Sequence, residues 1–231
     1  MEKTFADAFD LLGSLDKAVA DIAWLSIRVS TLSTMLACAI GFPVGAMVAL
    51  MRFHGRGAVT GLLNTAMGFP PVLAGLLVYL ALSRSGPFGG LGLLFTPSAM
   101  VIAQTLLLTP LVAALTHQIV EEEKGRLDEQ LRSMRLTLSQ RIAVILFDAR
   151  HALVVVILAA FGRAVAEVGA VIVAGGNIAG STRTMTTAIS LETQKGDLPL
   201  ALALGTVLVG IVVCVNVLGS LVRFHVARTH G

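Results

Sequence analysis

Arg163 and Glu167 stand four residues apart in FGRAVAEVGA, well inside an apolar run, and no other ionisable side chains of this chain cost as much to place. At helical spacing positions i and i+4 share a face, so guanidinium and carboxylate can pair. A charge at the centre of an apolar span costs roughly 2.5–3.5 kcal/mol on insertion scales, so such residues pair or face water. Two readings are open: a structural ion pair, or groups that line or brace an aqueous pathway. Directly after them runs Gly175-Gly176-Asn177-Ile178-Ala179-Gly180-Ser181-Thr182-Arg183-Thr184-Met185-Thr186-Thr187. Hydroxyls, an amide, backbone N–H groups and a guanidinium are the donors a tetrahedral oxyanion needs, although an ordinary polar loop has the same composition. The position of this loop beside the charged helix makes Arg163, Glu167, Gly169, Asn177, Thr182 and Arg183 the candidate pathway residues.

Other chemistry has no motif here. GxxxxGK[ST], HExxH, CxxC and GxSxG are absent, so ATP-driven work by the phosphate-loop route requires a partner. His54, His117, His151, His225 and His230 are scattered and read as interfacial rather than metal-binding. Cys38 and Cys214 fall in apolar segments as small apolar side chains. No nucleophile and base face each other convincingly, which disfavours an intramembrane enzyme; no metal or cofactor is expected.

The elements that must hold these residues are membrane helices. The chain has 231 residues, 55% apolar and only 13% charged, with a mean hydropathy of +0.85, too apolar for a soluble domain. A spanning helix needs about 20 apolar residues; residues 25–51, 58–82, 98–119, 151–175 and 198–222 qualify, leaving no room for a soluble domain. The net charge of +3 is topological rather than a sign of nucleic acid. Arg52, Arg56, Lys124, Arg126, Arg132, Arg135, Arg141, Arg150, Arg223 and Arg228 fall on one side, which the positive-inside rule makes cytoplasmic. The expected fold is therefore an all-α, multi-pass protein of five helices, N-terminus outside and C-terminus inside. Trp24 and Tyr79 sit at outer ends of spans.

Residues 1–21 lack a signal-peptide pattern; Phe5, Phe9, Leu12, Leu15 and Val19 form a helical stripe expected to lie at the outer interface. Residues 22–222 form the membrane domain and 223–231 an inner tail. Pro43 in GFPVG and Pro70 and Pro71 in GFPP are expected to bend their helices; either the bends serve movement or they reflect how common such residues are in membrane helices. Residues 121–150 are a charged island. Leu127, Leu131, Met134, Leu138, Ile142 and Ile145 recur at helical period, so one stripe calls for a partner, as in helix-in-groove docking of a soluble protein. A stand-alone channel or ion-gradient transporter has no use for such an island.

The island resembles the cytoplasmic loop of the permease subunits of ATP-binding cassette (ABC) importers, whose signature is Glu-Ala-Ala, three residues, Gly, then an apolar segment ending in proline. That alignment puts the glutamate at Glu129, the alanines at Gln130 and Leu131, the glycine at Arg135, and the closing isoleucine and proline near Ile145 and Asp148; Arg135 and Asp148 depart from the pattern. GFPVG and GFPPVLAGLLVYLALSRSGPFG are similar to helices of the molybdate, sulfate and tungstate permeases. FGRAVAEVGAVIVAGGNIAGSTRTMTTAISLETQKGD resembles the tungstate branch, above all in GGNIAGSTR and TTAISLETQKGD. The resemblance covers about residues 25–210. It implies a homodimer with the pathway along its axis, a periplasmic oxyanion-binding protein that delivers tungstate (or molybdate or sulfate), and cytoplasmic ATPase subunits that hydrolyse ATP. It also implies residence in the bacterial or archaeal plasma (inner) membrane. Glu129, Leu131, Arg132, Ser133, Met134 and Arg135 become the candidates for ATPase coupling, with Leu131 and Met134 as apolar anchors.

Overall fold

The computed structural model describes residues 17–51, 53–133 and 136–229, and their side chains except for 126–133 and 222–229. Among these residues the chain is all helix: α1 (Lys17–Leu50), α2 (Arg56–Met67), α3 (Pro71–Leu82), α4 (Pro97–Ser133), α5 (Leu138–Asp148), α6 (Arg150–Val165), α7 (Gly169–Gly175), α8 (Met185–Lys195) and α9 (Leu198–Thr229), with one 3₁₀ turn at Gly89–Leu91. By length and composition, Lys17–Leu50, Pro97–Gly125 and Leu198–Leu221 can each cross a membrane. Two more crossings require bent pairs: α2 with α3, at 98°, and α5 with α6, at 78°. The expected outer segment 1–16 lies outside the described residues, and 17–21 open α1.

α1 and α4 form the spine of the molecule, their contact being the most extensive between any two helices. It is close because Gly41 and Gly45 present no side chain. A Cβ on Gly45 would lie 2.3 Å from the Ala113 carbonyl oxygen and 2.8 Å from Thr116 Cβ. Around this seam Ala37, Cys38, Leu108, Val112, Val156, Ala160 and Ala164 are buried together. Pro43 lies between the two glycines on the exposed side, and α1 continues through it to Leu50.

Residues 58–82 are not one helix. The chain breaks at Gly68-Phe69-Pro70: the Gly68 and Phe69 N–H groups turn back to Thr65 and Ala66, Pro70 offers no N–H, and its carbonyl starts α3 by accepting from Leu73 and Ala74. Proline is suited to this place, where a donor would be orphaned anyway. α3 alone, 12 residues or about 18 Å, is shorter than a hydrocarbon core of about 30 Å, and α2 buries no side chain fully. Residues 151–175 are also interrupted, between Val165 and Gly169.

Polar contacts gather at two ends of α1, separated by about 33 Å of helix. At one end Ser26 Oγ accepts from Met185 N–H at 2.7 Å, and nearby Phe95 N–H donates to Ala174 O at 3.1 Å. At the other, Arg56 donates to the carbonyls of Val48 and Ala49 (2.9 and 3.1 Å) and pairs with Glu121. Lys124 Nζ donates to Ala49 O at 3.0 Å. Two cations thus satisfy the orphaned carbonyls where α1 ends.

Candidate functional site: a capped helix break beside a polar loop

α6 ends two residues before Glu167, so Arg163 and Glu167 do not share one continuous helix face, contrary to the expectation from their spacing. They pair nonetheless, with Arg163 Nη2 3.6 Å from Glu167 Oε2. The other carboxylate oxygen shows why the helix stops. Glu167 Oε1 accepts from the N–H groups of Gly169 (2.8 Å) and Ala170 (3.4 Å), capping the first turn of α7. A carboxylate is favoured there because the opening N–H groups have no helical partner. Glu167 is 4% exposed and the Arg163 side chain 45%.

Two further elements hold the break. Thr186 Oγ1 donates to the Glu167 carbonyl at 2.9 Å, and Gln104 Nε2, from α4, donates to the Ala164 carbonyl at 2.9 Å. Gln104 and Thr186 were not among the sequence candidates. The signal for Gln104 was available, since it is an uncharged polar residue inside an apolar span. Gly169 serves close approach rather than ligation: a Cβ there would meet Val72 Cγ2 at 2.8 Å. Gly75 likewise lets α3 lie against the Ala170 backbone, where a Cβ would be 2.9 Å from Ala170 O.

The loop after α7 divides its donors between internal and outward duties. Thr182 is fully buried, and its hydroxyl donates to Gly175 O (2.6 Å) while accepting from Ile178 N–H (3.0 Å). Asn177 adopts a left-handed φ of 51° and donates through Nδ2 to Thr187 O at 3.3 Å, leaving Oδ1 buried without a partner. Arg183 reaches Glu192 Oε1 at 3.5 Å, and Lys195 reaches the same oxygen at 3.0 Å. Glu192, a buried counter-charge for both, was another residue the sequence reading missed. Ser181, Arg183, Asp21 and Trp24 line an open cleft of about 420 Å³ between this loop and the start of α1.

The charged island is not one amphipathic helix. α4 carries its first part to Ser133, and α5 starts afresh at Thr137, whose side chain and that of Gln140 form a reciprocal cap. Ile145 is fully buried with Ala46, Ala49 and Val120, and Ile142 and Leu146 pack beside it. Of the three stripe residues whose side chains are described, Ile142 and Ile145 are therefore covered by the chain's own α1 and α4 and Leu138 is not. Leu138, Val144 and Phe147 remain exposed, with the Arg150 guanidinium 4.6 Å from the Phe147 ring centre. Glu129, Leu131, Arg132 and Ser133 lie at the end of α4, their side chains outside the described ones; Met134 and Arg135 fall outside the described residues.

Comparison with known proteins places this helical membrane architecture. No family model matches the chain. It is 39% identical over 226 residues to a probable anion ABC transporter permease protein of Haloferax volcanii, covering 95% of this chain and 97% of that one. The chain belongs to the permease subunits of ABC transporters. It is also 37% identical to the tungstate uptake system permease protein TupB of Peptoclostridium acidaminophilum, over 92% of this chain and 93% of that one. Similarity to the sulfate transport permease CysT of Escherichia coli is 27%, over 78% of this chain.

Proposed function

We propose that this chain is the membrane subunit of an ATP-driven importer that passes a tetrahedral oxyanion, tungstate in the first place, and hydrolyses nothing itself. One observation carries the choice of anion: two tungstate permeases align over 92% of the chain at 36–37% identity, against 26–28% for molybdenum and sulfate permeases. On this reading two copies pair about the pathway, a periplasmic binding protein delivers the anion, and ATPase subunits grip the 121–150 region. The bent pair α2–α3 counts as a single crossing, and so does α6 with the bent α5 at its inner end, making five, with the basic end cytoplasmic. The concentration of Arg56, Lys124, Arg141 and Arg150 around the end where α1 meets α5 supports that orientation.

The experiment is uptake into proteoliposomes holding the permease, its ATPase and its binding protein. Tungstate should enter only with ATP and the loaded binding protein, and excess sulfate should compete poorly. Entry without nucleotide against a gradient would refute the reading. Within it, Arg135→Glu should abolish stimulation of ATP hydrolysis by the binding protein while leaving the permease in the membrane; retained stimulation removes Arg135 from the coupling surface.

A further inference from the structure

On the proposed topology, with Arg150 toward the inner face and Leu198 toward the outer, two rulers put Arg163 well inside the membrane. It lies about 20 Å along α6 from Arg150, and Val212, with which it lines a groove, lies about 21 Å along α9 from Leu198, taking 1.5 Å per residue. A guanidinium at such depth must face protein or a water-filled path rather than lipid. Arg163 opens onto a groove of about 380 Å³ between α6 and α9, where Val212, Val215 and Gly219 form walls and Asn216 supplies a second polar side chain. The groove has room beside Gly162, where an added Cβ would find only Val215 Cγ1, at 4.0 Å.

Both polar groups have donors to spare. The 3.6 Å pairing with Glu167 is longer than a hydrogen bond, so it offsets charge without consuming the guanidinium's five N–H donors. Asn216 donates through Nδ2 to Val212 O at 2.8 Å, which engages one of two amide hydrogens. Glu167 itself is occupied in capping α7 and sits behind Arg163, away from solvent. The result is a half-neutralised cation and an amide in an apolar cleft. A site on a conduction path has to bind strongly enough to admit an ion and weakly enough to release it.

We propose that Arg163 and Asn216 form an intramembrane way-station for the oxyanion in the α6–α9 groove, with Glu167 as the fixed counter-charge that keeps the station weak. This rests on the transport reading above and adds to it a residue, Asn216, and a place. The test uses charge at constant bulk. Asn216→Cys is made in a Cys214→Ser background, because Cys214 is the exposed thiol two positions away and Cys38 is buried. The thiol is then modified with methanethiosulfonates bearing an ammonium or a sulfonate. In the reconstituted complex, tungstate uptake by the sulfonate adduct should fall about tenfold or more below that of the ammonium adduct, the scale of losing a hydrogen bond to a charged group. Stimulation of ATP hydrolysis by the binding protein should be equal in the two adducts. Arg163→Lys should keep most uptake and Arg163→Gln should lose it to a similar degree. Equal uptake by the two adducts, or by Lys and Gln at 163, overturns the station and leaves the importer standing. A wild-type complex that imports no oxyanion refutes the importer itself.

Discussion

Replacing Glu167 separates two roles that one carboxylate plays. Glu167→Gln keeps a carbonyl oxygen in place to accept from Gly169 and Ala170, and loses the charge facing Arg163. That costs the charge-assisted part of the caps and a half-exposed ion pair, together about 1 kcal/mol. Glu167→Ala also leaves two N–H groups at the buried start of α7 without an acceptor, adding about 1–2 kcal/mol for the lost cap. For a chain of this length each kcal/mol moves the melting temperature by about 2–4 °C. The expected ladder is a drop of about 2–4 °C for Gln and about 4–12 °C for Ala. It can be read from thermal unfolding of the purified permease in detergent through the fluorescence of Trp24, its one tryptophan. Adding Arg163→Gln to Glu167→Ala should recover part of the loss, because the stranded guanidinium is gone and the pair is non-additive. If Gln and Ala proved equally harmful, the capping role would be wrong; if neither lowered the melting temperature, Glu167 would not be holding the break.

Gly45→Val should cost about 1–3 kcal/mol by overpacking, since its Cβ would begin 2.3 Å from Ala113 O; an unchanged melting temperature would disprove the close α1–α4 seam. Gly61→Ala, in α2 with nothing within 4 Å of the new Cβ, should instead gain up to about 1 kcal/mol from helix propensity, and a loss there would show that α2 has a cover. Gln104→Leu gives up the bond to Ala164 O but removes a buried Oε1 that has no partner. Ala164 O keeps a second donor, Glu167 N–H at 3.1 Å. The two effects nearly offset, so the melting temperature should move by no more than about 2 °C, and a fall beyond about 4 °C would show that Gln104 bears more of the break than this one bond.

The membrane character and the bend at Pro70-Pro71 were legible because each follows from a local fact, apolar length and a missing N–H; the pairing of Arg163 with Glu167 was legible as a pair, though it is made across a helix break rather than along one face. The break after Val165 was not. Gly162, Gly169 and the small residues between them are as compatible with a continuous membrane helix as with a gap. What decides is tertiary, namely Thr186 and Gln104 arriving from α8 and α4, and Val72 crowding Gly169. The apolar stripe of the island announced that something must cover it and could not say what; for Ile145 the cover is Ala46, Ala49 and Val120 of the same chain. Thr182 illustrates a different limit. Composition marked its hydroxyl as a free donor, whereas the fold spends it on Gly175 O and Ile178 N–H inside the loop.

These contacts also sort the molecule into parts that resist motion and parts that permit it. The glycine seam between α1 and α4 has no slack, because any sliding drives Val112 and Ala113 into backbone. α5 is keyed to that seam through Ile145, then turns 78° into α6, a rod of 16 residues or about 24 Å. The rod ends where Arg163 and Glu167 meet. At that end the helical hydrogen bonds are already interrupted and their groups satisfied by side chains, so a change of angle there breaks a few replaceable bonds rather than a ladder. Under the importer reading, force applied to the region around α5 has a stiff path along α6 to one yielding joint, and the half-exposed cation sits at that joint. Coupling between ATP hydrolysis and the anion then needs no relay of residues across the bilayer, only a lever with Arg163 at its far end.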